Sequence, residues 1–264
     1  MNFFARSLSF VVLLTALTSL NAKESAEQKG LRLANENKEF NDGFVGETSD
    51  MEMILLDAHG GKTVRVLKGW TSEGKDEDGK GLIEFVRPLD VKGTKLLTWA
   101  EKNKDDKQWL YLKSLKRVKR IKGSGKGGSF MGSEFTFEDL GSQPISKFNI
   151  KFLKDEKVGG NDTWVTQRIP KDKSSNYSKQ VIWTSKKHRI PVKVEYYNKR
   201  GELYKVATMK GFEPFKVGKK QIYRAAEIHM KNVQSQKQST IKWKNRKLGK
   251  KIKKSIFNKN KLKR

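Results

Sequence analysis

The sequence predicts a mainly β protein with a few helices, built on one curved antiparallel sheet, and three observations predict it. Short runs of alternating apolar and polar residues follow one another along most of the chain, as in strands that bury one face. Turn signals rich in glycine and asparagine, such as Gly159–Asp162 and Asn198–Gly201, separate these runs at hairpin spacing. No internal repeat of fixed period is visible. Because a sheet of ten or more strands must curl or close to bury a face, we expect a half-open barrel.

The predicted elements begin with a helix over residues 24–40, where Leu31 and Leu33 lie among good helix formers and Gly43 follows. After it the pattern is almost entirely strand. The predicted strands are residues 51–58, 63–70, 82–87, 95–100, 109–112, 117–122, 148–153, 163–169, 181–184, 192–197, 203–209, 222–233 and 240–243. A loop or helical insertion is expected between the sixth and seventh of these. If the insertion and the helix cover the concave face, an apolar ligand cavity results.

The insertion begins with a glycine-rich loop, residues 123–132, that carries Phe130 and Met131 at its tip. Large apolar side chains between glycines are able to cover an apolar cavity and to swing away from it. We therefore predict that these two residues form a mobile lid. The alternative is that they pack as an ordinary loop anchor.

The amino terminus resembles that of an exported precursor. Arg6 precedes an apolar stretch, residues 8–20, that is shorter than the roughly 20 apolar residues of a membrane span. Cleavage after Ala22 is predicted, which gives a signal peptide over residues 1–22 and one mature domain over residues 23–264 in the periplasm. An uncleaved N-terminal anchor is the alternative. The chain has no cysteine, so neither a lipid-modified cysteine nor a disulfide is expected.

The charge balance is strongly basic. The chain has 57 Lys and Arg against 29 Asp and Glu, a formal net charge of +28. In the basic C-terminal segment, residues 242–264, the spacing of Leu248, Ile252 and Ile256 predicts an amphipathic helix suited to an anionic membrane surface. A solvated terminal segment is the alternative. Nucleic acid is not expected as a partner, because the sequence has no zinc-finger spacing and no RNA-binding aromatic motif.

Enzyme motifs are missing from the sequence. His59, His188 and His229 are far apart and show no metal-ligand spacing, and no serine stands in a nucleophile-elbow motif. The glycine-rich loop lacks the spacing of a phosphate-binding loop. We therefore predict a protein without catalytic residues, metal or cofactor.

Three motifs of the sequence resemble one family. They are Pro88-x-Asp90-Val91-x-Gly93-Thr94, Trp109-Leu110-Tyr111-Leu112 with Lys116-Arg117-Val118-x-Arg120-Ile121, and Gly128-Ser129-Phe130-Met131-Gly132-Ser133-x-Phe135-Thr136-Phe137-Glu138-Asp139-Leu140. On these the chain is similar to the LolA-like outer membrane lipoprotein-sorting proteins. The resemblance implies a half-barrel of about eleven antiparallel strands, capped by helices, whose apolar concavity takes the acyl chains of lipoproteins.

The function expected from the sequence is that of a monomeric carrier that binds acyl chains of lipoproteins or lipids for delivery towards the outer membrane. Two alternatives stay open: an accessory or sensor module of an RND- or MMPL-type membrane transporter, and a cationic surface-binding protein. Each candidate strand residue is also a candidate core residue, since the pattern does not say which sheet face is concave. The residues predicted to form the acyl cavity and its lid are Ile83, Phe85, Trp99, Trp109, Tyr111, Phe130, Met131, Phe135, Phe137 and Trp183.

Overall fold

A computed structural model describes residues 24–74, 78–102 and 104–263 of the chain. The predicted signal peptide therefore lies outside the described residues. Within the described ranges, no helix combines the length and the apolar character that a membrane crossing needs.

The described residues contain one α-helix and thirteen strands. The helix α1 spans Ala26–Asn41 and begins with a capping box in which Ser25 and Gln28 bond each other's backbone. The strands are β1 Gly46–Leu56, β2 Lys62–Ser72, β3 Lys80–Arg87, β4 Lys95–Trp99, β5 Lys107–Leu112, β6 Arg117–Ile121, β7 Phe148–Val158, β8 Asn161–Pro170, β9 Lys179–Ser185, β10 Pro191–Tyr197, β11 Leu203–Val217, β12 Lys220–Asn232 and β13 Gln238–Leu248. Short 3-10 turns occupy Gly123–Gly127, Ile145–Lys147, Lys254–Phe257 and Lys259–Lys261.

All thirteen strands form one antiparallel sheet in the order β6-β5-β4-β3-β2-β1-β13-β12-β11-β10-β9-β8-β7. The mainly β class and the single sheet are confirmed, but the number of about eleven strands is wrong. Each alternating run of the sequence forms a strand of its own, so the residue pattern counts the strands better than the family resemblance does. The helix prediction is also confirmed, within two residues at each end.

The sheet curves until its two edges approach each other. The edge strands β6 and β7 are neighbours in sequence, and residues 122–147, here called the insertion, join them. Lys147, which precedes β7, places its Nζ 2.6 Å from Oδ1 of Asp106, which precedes β5. Eleven strand spacings separate β5 from β7 in the sheet order, and that would be about 50 Å in a flat sheet. Contact between these residues therefore requires the sheet to roll into an open barrel.

The two faces of the sheet carry separate apolar clusters. The face that the insertion covers, here called the inner face, holds Met51, Met53, Leu67, Phe85, Leu96, Leu110, Ile121, Ile182, Val194, Ala207, Met230 and Ile241. The opposite face, here called the outer face, has one cluster on β3–β5 around Leu82, Leu97 and Trp109. A second outer cluster lies on β8–β10 around Val165 and Trp183.

Helix α1 caps one end of the barrel. A Cβ on Gly30 would lie 2.7 Å from the Lys151 backbone, so only glycine allows α1 to approach β7 this closely. Near its other end, Asn41 donates to the Arg189 carbonyl in the β9–β10 turn, and Lys220 at the start of β12 donates to the Glu39 carbonyl. The helix therefore crosses the ends of several strands.

The C-terminal segment does not form the predicted amphipathic helix. Leu248 ends strand β13, and the residues after it form only the two short 3-10 turns. Phe257 and Leu262, which are 3% and 2% exposed, pack on the outer face against the cluster around Trp109. The Trp99 indole donates a 3.0 Å hydrogen bond to the Phe257 carbonyl. The part of the segment after Leu248 is thus a cover for the outer face, and its lysines face solvent.

The substitution Phe257→Ala should lower the free energy of unfolding by about 3–5 kcal/mol, because it removes a buried ring from the outer cluster. Chemical denaturation followed by tryptophan fluorescence measures the change. Lys261→Ala, at an exposed position of the same segment, is the matched control and should change it by no more than about 0.5 kcal/mol. A loss below about 1 kcal/mol for Phe257→Ala would show that the segment does not cover the face stably.

Candidate functional site

A cavity of about 630 Å³ opens on the inner face, which is within the range of about 300–1,000 Å³ typical of ligand pockets. Its apolar walls come from the middle of the sheet and from the end of the insertion. These lining residues are Met51, Ile83, Leu96, Leu140, Ile241 and Trp243. The helix end and the β2–β3 connection form its rim. The cavity opens at the end of the barrel where this rim lies.

The glycine-rich loop is a hydrogen-bonded hairpin whose tip enters the core. The Phe130 N–H donates to the Phe135 carbonyl at 2.7 Å, and the Phe137 N–H donates to the Gly128 carbonyl at 3.2 Å. Met131 and Gly132 at the turn both have positive φ, as the tight hairpin turn of type I′ requires. The glycines of this segment therefore serve a defined turn as well as providing freedom.

Phe130 is fully buried, at 0% exposure, and lies among aromatic rings of the inner face. Its ring centroid is 5.5 Å from that of Phe85 and 5.8 Å from that of Phe137. Met131, the next residue, is half-buried at the turn. The sequence left two possibilities for this loop, a mobile lid and an ordinary loop anchor. Phe130 is packed in the core as an anchor would be, whereas Met131 is at the more exposed position.

A buried ion pair fixes the far side of the insertion. Lys205 on β11 is 0% exposed, and its Nζ donates to Asp139 Oδ2 at 2.7 Å and to the Glu134 carbonyl at 3.0 Å. Asp139 also accepts a 2.7 Å hydrogen bond from the Tyr177 hydroxyl. Burial is the larger cause and the charge of Asp139 the smaller one that raise the pKa of Tyr177 well above its usual value. The hydroxyl therefore stays protonated and acts as the hydrogen-bond donor. Charge and hydrogen bonds here compensate the cost of burying both ions.

A second attachment lies at the loop tip. Arg65 on β2 donates from its guanidinium to the Met131 carbonyl, and its centre is 5.9 Å from the Phe85 ring centroid. Burial lowers the pKa of Arg65, and its Nε is buried without a hydrogen-bond partner. The positive charge of Arg65 is thus partly removed from water, and the acceptor that it contacts is a neutral carbonyl.

The structure brings together some of the sequence-predicted site residues and separates others. Six belong to the inner cluster or pack against it: Ile83, Phe85, Phe130, Met131, Phe135 and Phe137. Four lie on the outer face and do not meet the cavity: Trp99, Trp109, Tyr111 and Trp183. Ile83 is the one residue of the predicted set that lines the 630 Å³ cavity. The outer four are separated from it because odd and even positions of a strand face opposite sides.

Sequence reasoning missed a charged cluster at one end of the cavity. Glu47 on β1 lies between two arginines: its Oε2 is 3.2 Å from Arg224 Nε and its Oε1 is 3.0 Å from Arg246 Nε. All three residues line the cavity. In a chain with 57 basic residues, no local pattern distinguishes these two arginines from the others. Only the pairing of β1, β12 and β13 brings them together.

Two of the three histidines make side-chain contacts within the fold, and the third lies in a turn. His188 packs against the rings of Phe212 and Tyr223, and His229 hydrogen-bonds to Thr240. His59 lies in the turn at Asp57 to Gly61. Among the residues that the structure describes, no group of three or more His, Cys, Asp or Glu side chains could hold a metal ion.

Comparison with known proteins decides the family. A family model with the description "-like: Uncharacterized protein" matches residues 77–264. A crystal structure described as an outer membrane lipoprotein-sorting protein domain, from Vibrio parahaemolyticus, is 39% identical to this chain. It superposes with a TM-score of 0.86 over 90% of this chain and 100% of its own. The chain belongs to the LolA-like outer membrane lipoprotein-sorting protein family.

Two further structures share the fold. A DUF1329 family protein from Desulfovibrio piger is 28% identical, with a TM-score of 0.84 over 90% of this chain and 99% of that one. A LolA superfamily protein from Nitrosomonas europaea is 16% identical, with a TM-score of 0.67 over 89% and 98%, and shares the fold. No curated protein matches the chain. In this LolA-like chain, the insertion and the cavity beneath it are the features to which function must be related.

The substitution Lys205→Met should lower the free energy of unfolding by about 3–5 kcal/mol, because it leaves the Asp139 carboxylate buried without its cation. Chemical denaturation measures this loss. The double variant Lys205→Met with Asp139→Asn should recover a large part of it. Lys154→Met, which removes an exposed ion pair with Glu156, is the matched control and should cost about 1 kcal/mol or less. Equal losses for the two lysines would contradict the role given to this pair.

Proposed function

We propose that this protein is a non-enzymatic periplasmic carrier that binds the acyl chains of a lipoprotein or lipid in the inner cavity and delivers them towards the outer membrane. The observation that carries the proposal is the cavity of about 630 Å³ between apolar side chains of β1, β3, β4 and β13. The 39% identical relative described as a lipoprotein-sorting domain supports the same role. Action in the periplasm would follow export by the predicted signal peptide.

The energy available from acyl burial is sufficient for a carrier. Each buried CH₂ contributes about 0.8 kcal/mol, so a chain of about 16 carbons contributes on the order of 12 kcal/mol gross. Loss of ligand freedom and ordering of the protein take back a large share of this. A net affinity that allows both uptake and release is therefore reasonable for one chain in this cavity.

Release requires part of the cover to move, and the attachments of the insertion differ in depth. Phe130 is fully buried and Asp139 is held by a buried lysine, so these two points are anchors. Met131 is half-buried, and its carbonyl accepts a hydrogen bond from the Arg65 guanidinium. We therefore place the moving part of the lid at the Met131 turn, with Phe130 as the side chain that must leave the core if the lid opens fully.

The substitution Ile83→Glu should remove bound acyl chains, because it places a carboxylate in the apolar wall of the cavity. Native mass spectrometry of the gently purified protein, with lipid extraction beside it, measures bound ligand. The wild-type protein should carry an acylated species or take up palmitate when it is offered. Ile169→Glu, at a position 41% exposed and outside the cavity lining, is the matched control and should retain the ligand. A wild-type protein that stays empty in the presence of fatty acids and lipopeptides would refute the carrier proposal.

A delivery surface is supported by the turns at one end of the barrel. Leu89 in the β3–β4 connection is 85% exposed, and Leu115 in the β5–β6 turn is 62% exposed. The two turns are neighbours, since a Cβ on Gly93 would lie 2.5 Å from the Lys113 side chain. We call residues 87–93 and 113–117 the tip. Its charged residues are Arg87, Asp90, Lys92, Lys113, Lys116 and Arg117.

Five basic side chains around two exposed leucines favour an anionic membrane surface as the partner of the tip. Basic residues near a lipid surface contribute about 1 kcal/mol each, and apolar side chains add to this by entering the interface. The alternative role, an accessory module of a membrane transporter, predicts an empty cavity and a salt-sensitive protein complex through the same basic residues. Binding to vesicles without any protein partner distinguishes the two.

The double substitution Leu89→Asp with Leu115→Asp should reduce binding to vesicles of phosphatidylglycerol and phosphatidylethanolamine at least tenfold, because it replaces both apolar contacts by repelled charges. Co-sedimentation measures the bound fraction. Leu153→Asp, at a position on β7 that is 42% exposed, is the single-site control and should bind within about twofold of wild type. Equal loss for both variants, or no vesicle binding by the wild type, would exclude the tip as a membrane-docking surface.

A further inference from the structure

The sheet is split at one end of the cavity. Strands β12 and β13 pair only between residues 227–231 and 238–242. Beyond this point β12 continues with β11 as far as Lys220, and β13 continues with β1 as far as Leu248. The two strands therefore diverge over their remaining residues, and the described ladder has a gap there.

Side chains bridge this gap in place of backbone hydrogen bonds. The Arg246 guanidinium on β13 donates through Nη1 to the Ala225 carbonyl on β12 at 2.7 Å. Glu47 joins Arg246 to Arg224 of the facing strand. We call Glu47, Arg224 and Arg246 the split cluster. It is largely shielded from solvent: the side chains of these residues are 15%, 20% and 5% exposed.

The charge of the split cluster is incompletely compensated. Two guanidinium groups share the one carboxylate in contact with them, while the charge of Glu213 acts on Arg246 without a salt bridge. The Arg246 Nε makes no hydrogen bond despite its 3.0 Å distance to Glu47 Oε1. Around the whole cavity the lining holds four cationic side chains, Lys38, Lys80, Arg224 and Arg246, against three carboxylates, Asp42, Glu47 and Glu73. Glu73 already accepts hydrogen bonds from the Gly43 and Val45 N–H groups, and Asp42 pairs with Lys38.

The surroundings of Arg246 offer its guanidinium little water, which favours binding of an anion. Burial lowers the pKa of Arg246, which reports a desolvated cation. Its guanidinium centre lies 4.7 Å from the Trp243 ring centroid, so one side of it faces an apolar group of the cavity wall. A buried arginine that has lost water is best satisfied by a carboxylate or phosphate, which it binds in two parallel hydrogen bonds.

We propose that the split cluster binds the anionic headgroup of a single-chain amphiphile, a free carboxylate or a phosphate monoester, whose hydrocarbon tail occupies the inner cavity. This rests on the proposed function, since it assigns the headgroup end of the same acyl site. It narrows the ligand class, because an acyl chain in ester or amide linkage presents no such anion to the two arginines.

Displacement of a dansyl-undecanoate reporter by three competitors of equal chain length tests the proposal. The competitors are dodecanoate, dodecyl phosphate and dodecan-1-ol, which share the tail and differ in the head. The wild-type protein should bind at least one of the two anions at least tenfold more tightly than the alcohol. The anion that is preferred identifies the headgroup as a carboxylate or a phosphate.

The double substitution Arg224→Met with Arg246→Met should weaken binding of the preferred anion at least tenfold and leave dodecan-1-ol within about twofold. The matched control is Lys216→Met with Lys219→Met, at two exposed positions where β11 turns into β12. It removes the same charge and should leave the affinity for all competitors unchanged. The arginines also bridge β12 and β13, so their removal changes the structure as well as the charge. Glu47→Gln is the second variant because it keeps both arginines. It removes the competing carboxylate and should tighten anion binding.

The outcomes separate the two levels of the proposal. A wild-type protein that binds the anions and the alcohol equally would overturn the headgroup assignment while leaving the acyl carrier intact. Equal weakening of anion and alcohol in the arginine variant, or weaker anion binding in Glu47→Gln, would also overturn it. A wild-type protein that binds none of the four amphiphiles would overturn both the carrier and the headgroup site.

Discussion

The rest of the structure depends on closing a thirteen-stranded sheet, and the insertion between β6 and β7 closes it. These two strands are adjacent in sequence but lie at opposite edges of the sheet. Lys126 of the insertion contacts both Asp105, ahead of β5, and Asp172, beyond β8. Phe130 and Phe137 fill the interior beneath it. One segment thus joins the two edges of the sheet and also supplies Leu140 to the cavity wall.

The alternation of the sequence was sufficient to predict every strand but not the side of the sheet that holds the site. In β5, for example, the pattern separates Trp109 and Tyr111 from Leu110 and Leu112, and the structure keeps that separation. Both pairs are largely buried, because the insertion covers one face and the C-terminal segment covers the other. Alternation along a strand separates its two faces, but when both faces are buried it does not indicate which one lines the cavity. The choice is made by segments that lie far away along the chain.

Two further differences have the same physical origin in long-range contacts. Lys205 lies on a strand where a lysine would normally face solvent, and its partner Asp139 is 66 residues away. In the C-terminal segment, a spacing of four residues fits both a helix and a strand, since four is close to 3.6 and is also a multiple of two. Pairing of β13 with β1 decided for a strand at Leu248. Composition and local period therefore predicted the class and the elements, while the ion pairs and the split cluster needed the assembled sheet.

The positions of the split cluster and of the tip constrain how a ligand could move. Glu47 and Arg246 lie at the end of the sheet where β1 begins and β13 ends, whereas the tip lies at the opposite end, where β3 and β5 end. A headgroup held by the arginines would leave the tail pointing along the inner face towards the Met131 turn. That turn is linked to the tip: Arg65 holds the Met131 carbonyl, and the charge of Asp90 opposes the lowering of the Arg65 pKa. Arg65 therefore connects the Met131 turn, which we propose as the moving part of the lid, to the barrel end that carries the tip.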